Sequence, residues 1–190
     1  MGRSKALLPI AADGPSFVRK IADALRAGGI DDVLVVGRPE DDALRAEVER
    51  LGTNVRFVAN THADDGQLSS LITGLNVVDH PGTRALVVNP VDVPLVSAAT
   101  VATIVQAFAR TQASIVRATY QRRHGHPVLF SRAVFDDLRR ADPAVGAKAV
   151  VRARAEEVVD VDVPDPAVIV DVDSPEDYAR LLAGSTRHTC

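Results

Sequence analysis

Three aspartates stand where strands and helices would hand them to a ligand. Asp92 lies in ALVVNPVDVP, just after an all-apolar run and between Pro90 and Pro94, which fix the loop around it. Ser97 is available to cap the helix that follows, so Asp92 reads as a functional carboxylate at a strand end; a turn aspartate is the plainer alternative. Asp171 and Asp173 in VIVDVDSPEDY alternate, and on a strand they share one face. Paired carboxylates repel unless a cation or basic group sits between them, and their oxygens suit a hard cation of the magnesium class. The plainer alternative has Asp173 helping Ser174 to start the last helix.

Two further stretches carry weaker signals. In RRHGHP the His-x-His pair lacks a third ligand nearby. Gly125 and Pro127 instead frame a rigid loop that presents its backbone and His126, with Arg122 and Arg123 as anion contacts or as solvated surface. In NTHADDGQLSSL a strand ends at Asn60 and a helix starts near Gly66, with Ser69 and Ser70 in its first turns. Free amides and hydroxyls there suit a phosphate or the edge of a base, or serve as ordinary capping. The pairs Asp31/Asp32, Asp41/Asp42 and Asp136/Asp137 read as solvated helix starts and faces.

The elements that position these residues alternate. PSFVRKIADALRAGG puts Phe17, Ile21, Ala24 and Leu25 on one helical face and stops at Gly28 and Gly29. DDVLVVG is a short valine-rich run that fits a strand buried on both faces. Helix, strand, helix, strand, helix and strand follow through ASIVRATY, which is β-α-β grammar. The last third predicts a short strand HPVLF, a helix SRAVFDDLRR, two strands VVDVDVPD and AVIVDVD in a mixed region, and a final helix with Ser174, Pro175 and Asp177 in a capping-box arrangement. A single α/β domain over residues 1–190 is expected.

Composition narrows the function classes. Of 190 residues, 46% are hydrophobic, enough for a sizeable core. The formal charge of -3 leaves no global basic field, so nucleic acid is not an expected partner. The single cysteine, Cys190, allows neither an internal disulfide nor a Cys-ligated zinc, and a cytoplasmic setting is expected. The opening MGRSKALLPIAADG imitates a secretory signal loosely, but its short apolar run contains Pro9, and the myristoylation pattern fails at Ala6. Residues 85–109 are apolar but broken by Asn89, Pro90, Asp92 and Pro94, so no membrane span is expected.

Taken together, MGRSKALLP, GQLSSL, PVDVPLVSAATV, GHPVLFSRAVFDDL and VDVDSPEDYARL resemble the MobA-like nucleotidyltransferase family, particularly its molybdenum-cofactor cytidylyltransferase branch. The likeness runs in the family's order over nearly the whole chain. It implies a Rossmann-like three-layer α/β fold with a mostly parallel sheet and a small mixed subregion. It also implies magnesium-dependent transfer of a nucleotide, with CTP as donor and a pterin phosphate of the molybdenum cofactor as acceptor. A sugar or polyol phosphate acceptor, or a non-catalytic nucleotide-binding homologue, are the alternatives. Met1, Gly2 and Lys5 fall on the end of the family's L-A-A-G-x-S-x-R-M-G-x-x-K loop, which implies a triphosphate-binding role for Lys5. Residues matching the start of that loop and the strand before it are not in this sequence, so an amino-terminally shortened domain lacking the first strand is expected. The resemblance implies Asp92 and Asp173 as metal ligands, Asn60, Gly66 and Ser70 on the nucleotide side, and Gly125, His126 and Pro127 on the acceptor side.

Overall fold

The structure, a computed structural model, describes residues 4–185. It runs α1 (Phe17–Ala27), β1 (Val33–Gly37), α2 (Asp42–Glu49), β2 (Val55–Ala59), α3 (Gln67–Val78) and β3 (Ala85–Val88). Then come α4 (Ala98–Thr111), β4 (Ile115–Tyr120), β5 (Arg123–Ser131), α5 (Phe135–Arg140), α6 (Lys148–Ala153), β6 (Val158–Asp162) and α7 (Pro175–Ser185). Among the described residues no helix is long and apolar enough to cross a membrane.

The helices start where short polar side chains can take up free amides. Ser16, Asp41 and Ser97 accept from the backbone N–H three residues on, at Arg19, Leu44 and Thr100, and so cap α1, α2 and α4. At α7 the capping box forms in full: Ser174 Oγ accepts from Asp177 N–H, and the Asp177 carboxylate accepts from Ser174 N–H and Oγ–H. Those bonds hold the Asp177 carboxyl far below the usual carboxylate range.

The strands form two sheets. β1 and β2 pair in parallel, joined by α2. The four-stranded sheet has the order β3-β5-β4-β6, with β5 antiparallel to β3 and β4, and β6 parallel to β4. Side-chain alternation sorts this sheet into two faces. Ile115 and Phe130, paired across β4 and β5, join Leu75 of α3 and Phe135 and Leu138 of α5 in one core cluster. Val116 and Leu129, the next pair, join Ile104 and Ala107 of α4 in another. A third cluster packs Val18 and Ala22 of α1 against Val33, Val55 and α2. The result is helices on both sides of strands, matching the α/β expectation.

Three elements differ from the sequence reading. AVIVDVD is not a strand: residues Pro166–Ile169 form a 3-10 turn and residues 170–173 run without a pairing partner. Asp165 explains this, because its carboxylate accepts from Ser97 N–H and Thr100 Oγ1–H at α4 and from Ala167 N–H, clasping the turn to a helix end rather than to a sheet. The short strand HPVLF is longer than expected, since β4 and β5 form a hairpin through Gln121 and Arg122, both at positive φ as a two-residue primed turn requires. Helix α6 had no expected counterpart in the sequence reading.

Candidate active site

The β5 strand carries the first site feature. Arg117 pairs with Val128 and Thr119 with His124, so Gly125, His126 and Pro127 stand opposite the single residue Ala118. The rigid loop expected at these residues is therefore a β-bulge inside a strand, where a proline's missing N–H costs nothing. Because Val88 pairs with Val128, the bulge lies just beyond the carboxyl end of β3, beside the loop that carries Asp92. Gly125 is needed for close approach: a Cβ there would lie 2.1 Å from the carbonyl oxygen of Val168.

The Asp92 loop is built by Asn89, whose amide donates to the carbonyls of Pro90 and Val93, both at 3.0 Å. Ser97 caps α4 by itself, so Asp92 is not used as a cap. Its carboxyl is pushed above the usual carboxylate range, first by burial and then by repulsion from Asp173 and, less, Asp171; Lys5 opposes the shift.

Val172 N–H donates to the Asp92 backbone carbonyl at 2.8 Å, which ties the carboxy-terminal segment to this loop. Val172 is buried while Asp171 and Asp173 are exposed, so the two carboxylates do lie on one side although no strand forms. Gly125 and the Asp165 clasp hold the turn that precedes them.

Lys5 arrives from the opposite end of the chain. It opens a 3-10 turn, Lys5–Leu7, whose Ala6 is buried in the α1 core. Tyr178 of α7 donates its hydroxyl to Pro9 O at 2.9 Å and meets Phe17 edge-on with ring centroids 6.0 Å apart. This docking brings the start of α7 beside the turn, and Lys5 Nζ donates to Asp173 Oδ1 at 3.1 Å. Tyr178 is thus a positioning residue that the sequence reading did not single out.

His126 faces the same groups. Burial holds its imidazole below the usual histidine range, Asp92 and Asp171 pull it back up, and Lys148 of α6 pushes it down. Its Nδ1 is buried without a hydrogen-bond partner. Lys148 is a second cation that sequence reasoning missed, since it sits at the start of the unexpected helix α6.

Asn60, Gly66 and Ser70 form a separate cluster after β2. Asn60 is 1% exposed. Its Nδ2 donates to Ser69 and Ser70 hydroxyls and its Oδ1 accepts from His62 N–H and Thr73 Oγ1–H. The side chain is spent inside the protein, holding the loop to α3. Gly66, at φ +90°, turns that loop into the helix. Ser70 and Lys5 line one cavity. Gly2 lies outside the described residues.

Among the described residues no three His, Cys, Asp or Glu side chains converge as a protein-only metal cage. Asp92 and Asp173, with Asp171 close by, fit a different kind of site. Magnesium-class ions take one or two carboxylates and complete their shell with water and substrate phosphates, and mutual repulsion among these acids is what such an ion would relieve.

The sequence profile of the MobA-like NTP transferase domain matches residues 1–158. The chain belongs to that family. A MobA-like domain is a nucleotidyltransferase, acting on a nucleoside triphosphate and a small-molecule acceptor, and such enzymes usually use a divalent metal. Among solved structures, Rv0371c from Mycobacterium tuberculosis H37Rv is 30% identical, with 96% of this chain and 91% of that chain covered and a TM-score of 0.78. A manganese complex of Rv0371C from the same organism is also 30% identical, covering 96% and 93%, with a TM-score of 0.71. The 4-diphosphocytidyl-2C-methyl-D-erythritol synthase of Anaerococcus prevotii DSM 20548, 17% identical, covers 94% of this chain and 89% of that chain at a TM-score of 0.73 and shares the fold. Comparison with curated proteins returns no match.

Proposed function

We propose that this MobA-like domain transfers CMP from CTP to a pterin phosphate of the molybdenum cofactor, with magnesium as the metal. The convergence of Lys5, Asp92 and Asp173 from three distant parts of the chain carries this reading.

In the reaction an acceptor phosphate oxygen attacks the α-phosphorus in line. The bond from that phosphorus to the bridging oxygen breaks, and pyrophosphate leaves with the electron pair. No covalent enzyme intermediate is needed, so the residues act by positioning and by balancing charge. Asp92 and Asp173 would hold the magnesium ion, which neutralises phosphate charge and orients the α-phosphate when bound. Lys5 leaves Asp173 for the triphosphate and offsets the charge that builds on pyrophosphate. Gly66, on the loop anchored by Asn60, and Ser70, in the first turn of α3, form the nucleotide side. On the acceptor side the Gly125–His126–Pro127 bulge offers a neutral imidazole whose Nδ1 is free to form one hydrogen bond.

Titration calorimetry with CTP, GTP and ATP in the presence of magnesium tests the donor, and pyrophosphate release with a pterin phosphate tests the acceptor. The reading expects CTP to bind about tenfold or more tightly than the purine nucleotides, a difference of about 1.4 kcal/mol. Equal weak binding of all three overturns the cytidylyl assignment, and release that a sugar phosphate supports better than the pterin overturns the acceptor.

A further inference from the structure

Lys148 opens α6 on a tightly built turn. The Asp142 side chain accepts from Ala144 N–H at 2.9 Å, and its carbonyl accepts from Val145 and Gly146 N–H at 3.0 and 2.9 Å. Gly146, at φ +74°, then reverses the chain into the helix. Ala147, Val150 and Val151 lie on one helical face and pack in the core cluster that contains Val88 and Val128. Those two valines pair across β3 and β5 immediately beside the His126 bulge. Lys148 borders the packed face, so α6 carries it to the bulge while the residue itself stays exposed. Its charge reaches His126 more strongly than that of any other cation. Among the described residues it has no ion pair of its own.

Two cations therefore flank Asp92 from different sides of β3. Lys5 lies toward β1, lining one cavity with Gly37 and Val88. Lys148 lies toward β5, beside His126. Asp92 stands on the loop between them, acted on by Lys5 and acting on His126. In-line displacement puts the attacking oxygen and the leaving pyrophosphate on opposite sides of the α-phosphorus. With Lys5 at the pyrophosphate, the acceptor enters over the bulge. A phosphate monoester carries about two negative charges at neutral pH. There it meets Asp92 and Asp171, which repel it, and an imidazole that burial holds toward its neutral form. Lys148 is the cation in place to offset that repulsion.

We propose that Lys148 binds the phosphate of the acceptor, donating from Nζ to an oxygen other than the one that attacks. It gives up no proton and forms no bond to phosphorus. It holds the acceptor against the like charge of Asp92 and Asp171 while the attack proceeds. This role rests on the transferase reading. It is the same for a pterin, sugar or polyol phosphate, because a compact ammonium meets only the group they share.

The chain has only three lysines, and Lys20 on α1 provides a control that removes the same charge elsewhere. Inorganic phosphate is titrated into the protein with magnesium present and followed by the backbone amide resonances of Gly125 and His126. The parent is compared with Lys148→Ala, Lys148→Arg and Lys20→Ala. Affinity read at these amides is expected to fall about tenfold or more in Lys148→Ala, to return largely in Lys148→Arg, and to keep the parent value in Lys20→Ala. A phosphate that moves only the amides around Lys5, or an affinity that Lys148→Ala leaves unchanged, overturns the proposal. Pyrophosphate release is then measured with whichever of a pterin, sugar or polyol phosphate the parent turns over fastest. Lys148→Ala should raise the KM for that acceptor about tenfold and leave the KM for the nucleotide unchanged. Equal loss in both KM values, or a fall in kcat alone, marks a structural role and overturns the proposal. If phosphate binding depends on Lys148 but no acceptor releases pyrophosphate, the anion-binding role stands and the transferase reading falls.

Discussion

Lys5 and Asp173 are 168 positions apart in the chain, and their side chains meet at 3.1 Å. With side chains 31% and 66% exposed, the pair adds little to stability, about 0–1 kcal/mol. Its significance is positional. Tyr178 and Phe17 hold α7 against the first turn, so a cation and an anion from opposite ends of the chain are presented beside Asp92. A triphosphate with its metal needs both signs of charge within one ligand's reach.

Asp92→Asn is expected to separate stability from activity. Burial and Asp173 make the ionised carboxylate costly in the fold. The carboxyl's raised value means that its favourable contribution is present below the ordinary carboxylate range and lost as pH rises through the raised one. At neutral pH the amide variant should therefore melt at or above the temperature of the parent, while transfer falls about 100-fold or more. Thermal denaturation and pyrophosphate release check the two halves.

Divalent-cation binding should weaken on acidification at a higher pH than an ordinary aspartate would give. The ligand is the ionised form of Asp92, and a raised carboxyl takes up its proton sooner as pH falls. Manganese affinity measured by calorimetry across the acid range shows this, and a curve following ordinary carboxylates would tell against Asp92 as a ligand.

Gly125→Ala should damage the site from outside it. The new Cβ would meet the Val168 carbonyl, and the turn Pro166–Ile169 must move, taking Asp171 and Asp173 with it. Expected are a loss of about 1–3 kcal/mol in unfolding free energy and weaker cation binding. Denaturant titration and metal titration of the same variant test both.

Asn60→Ala removes the partner of two hydroxyls, one backbone N–H and Thr73 in a nearly closed environment. It should cost about 1–3 kcal/mol by denaturant unfolding. Ligand-side changes are expected in KM, through movement of Ser70, and a variant as stable as the parent would contradict the anchoring role.

The β-α-β alternation was legible because valine-rich strands and capped amphipathic helices each carry their own local signal, as DDVLVVG and the Ser174 capping box illustrate. AVIVDVD misled because alternation reports which side is buried, not whether a neighbouring strand exists; the buried Val172 between exposed Asp171 and Asp173 keeps the pattern without the sheet. The Gly125–Pro127 bulge was read as a loop, though glycine and proline inside an apolar run also signal a bulge. Tyr178 and Lys148 act through tertiary contacts, which no local spacing encodes. Asn60 was marked correctly as special, but its bonds run inward.

The joint presentation of a metal by Asp92 and Asp173 is tested most directly by manganese binding, followed by electron paramagnetic resonance in the presence of CTP, in the parent chain and in Asp92→Asn and Asp173→Asn. The account expects each variant to weaken binding about tenfold or more. Unchanged affinity in both variants would contradict it.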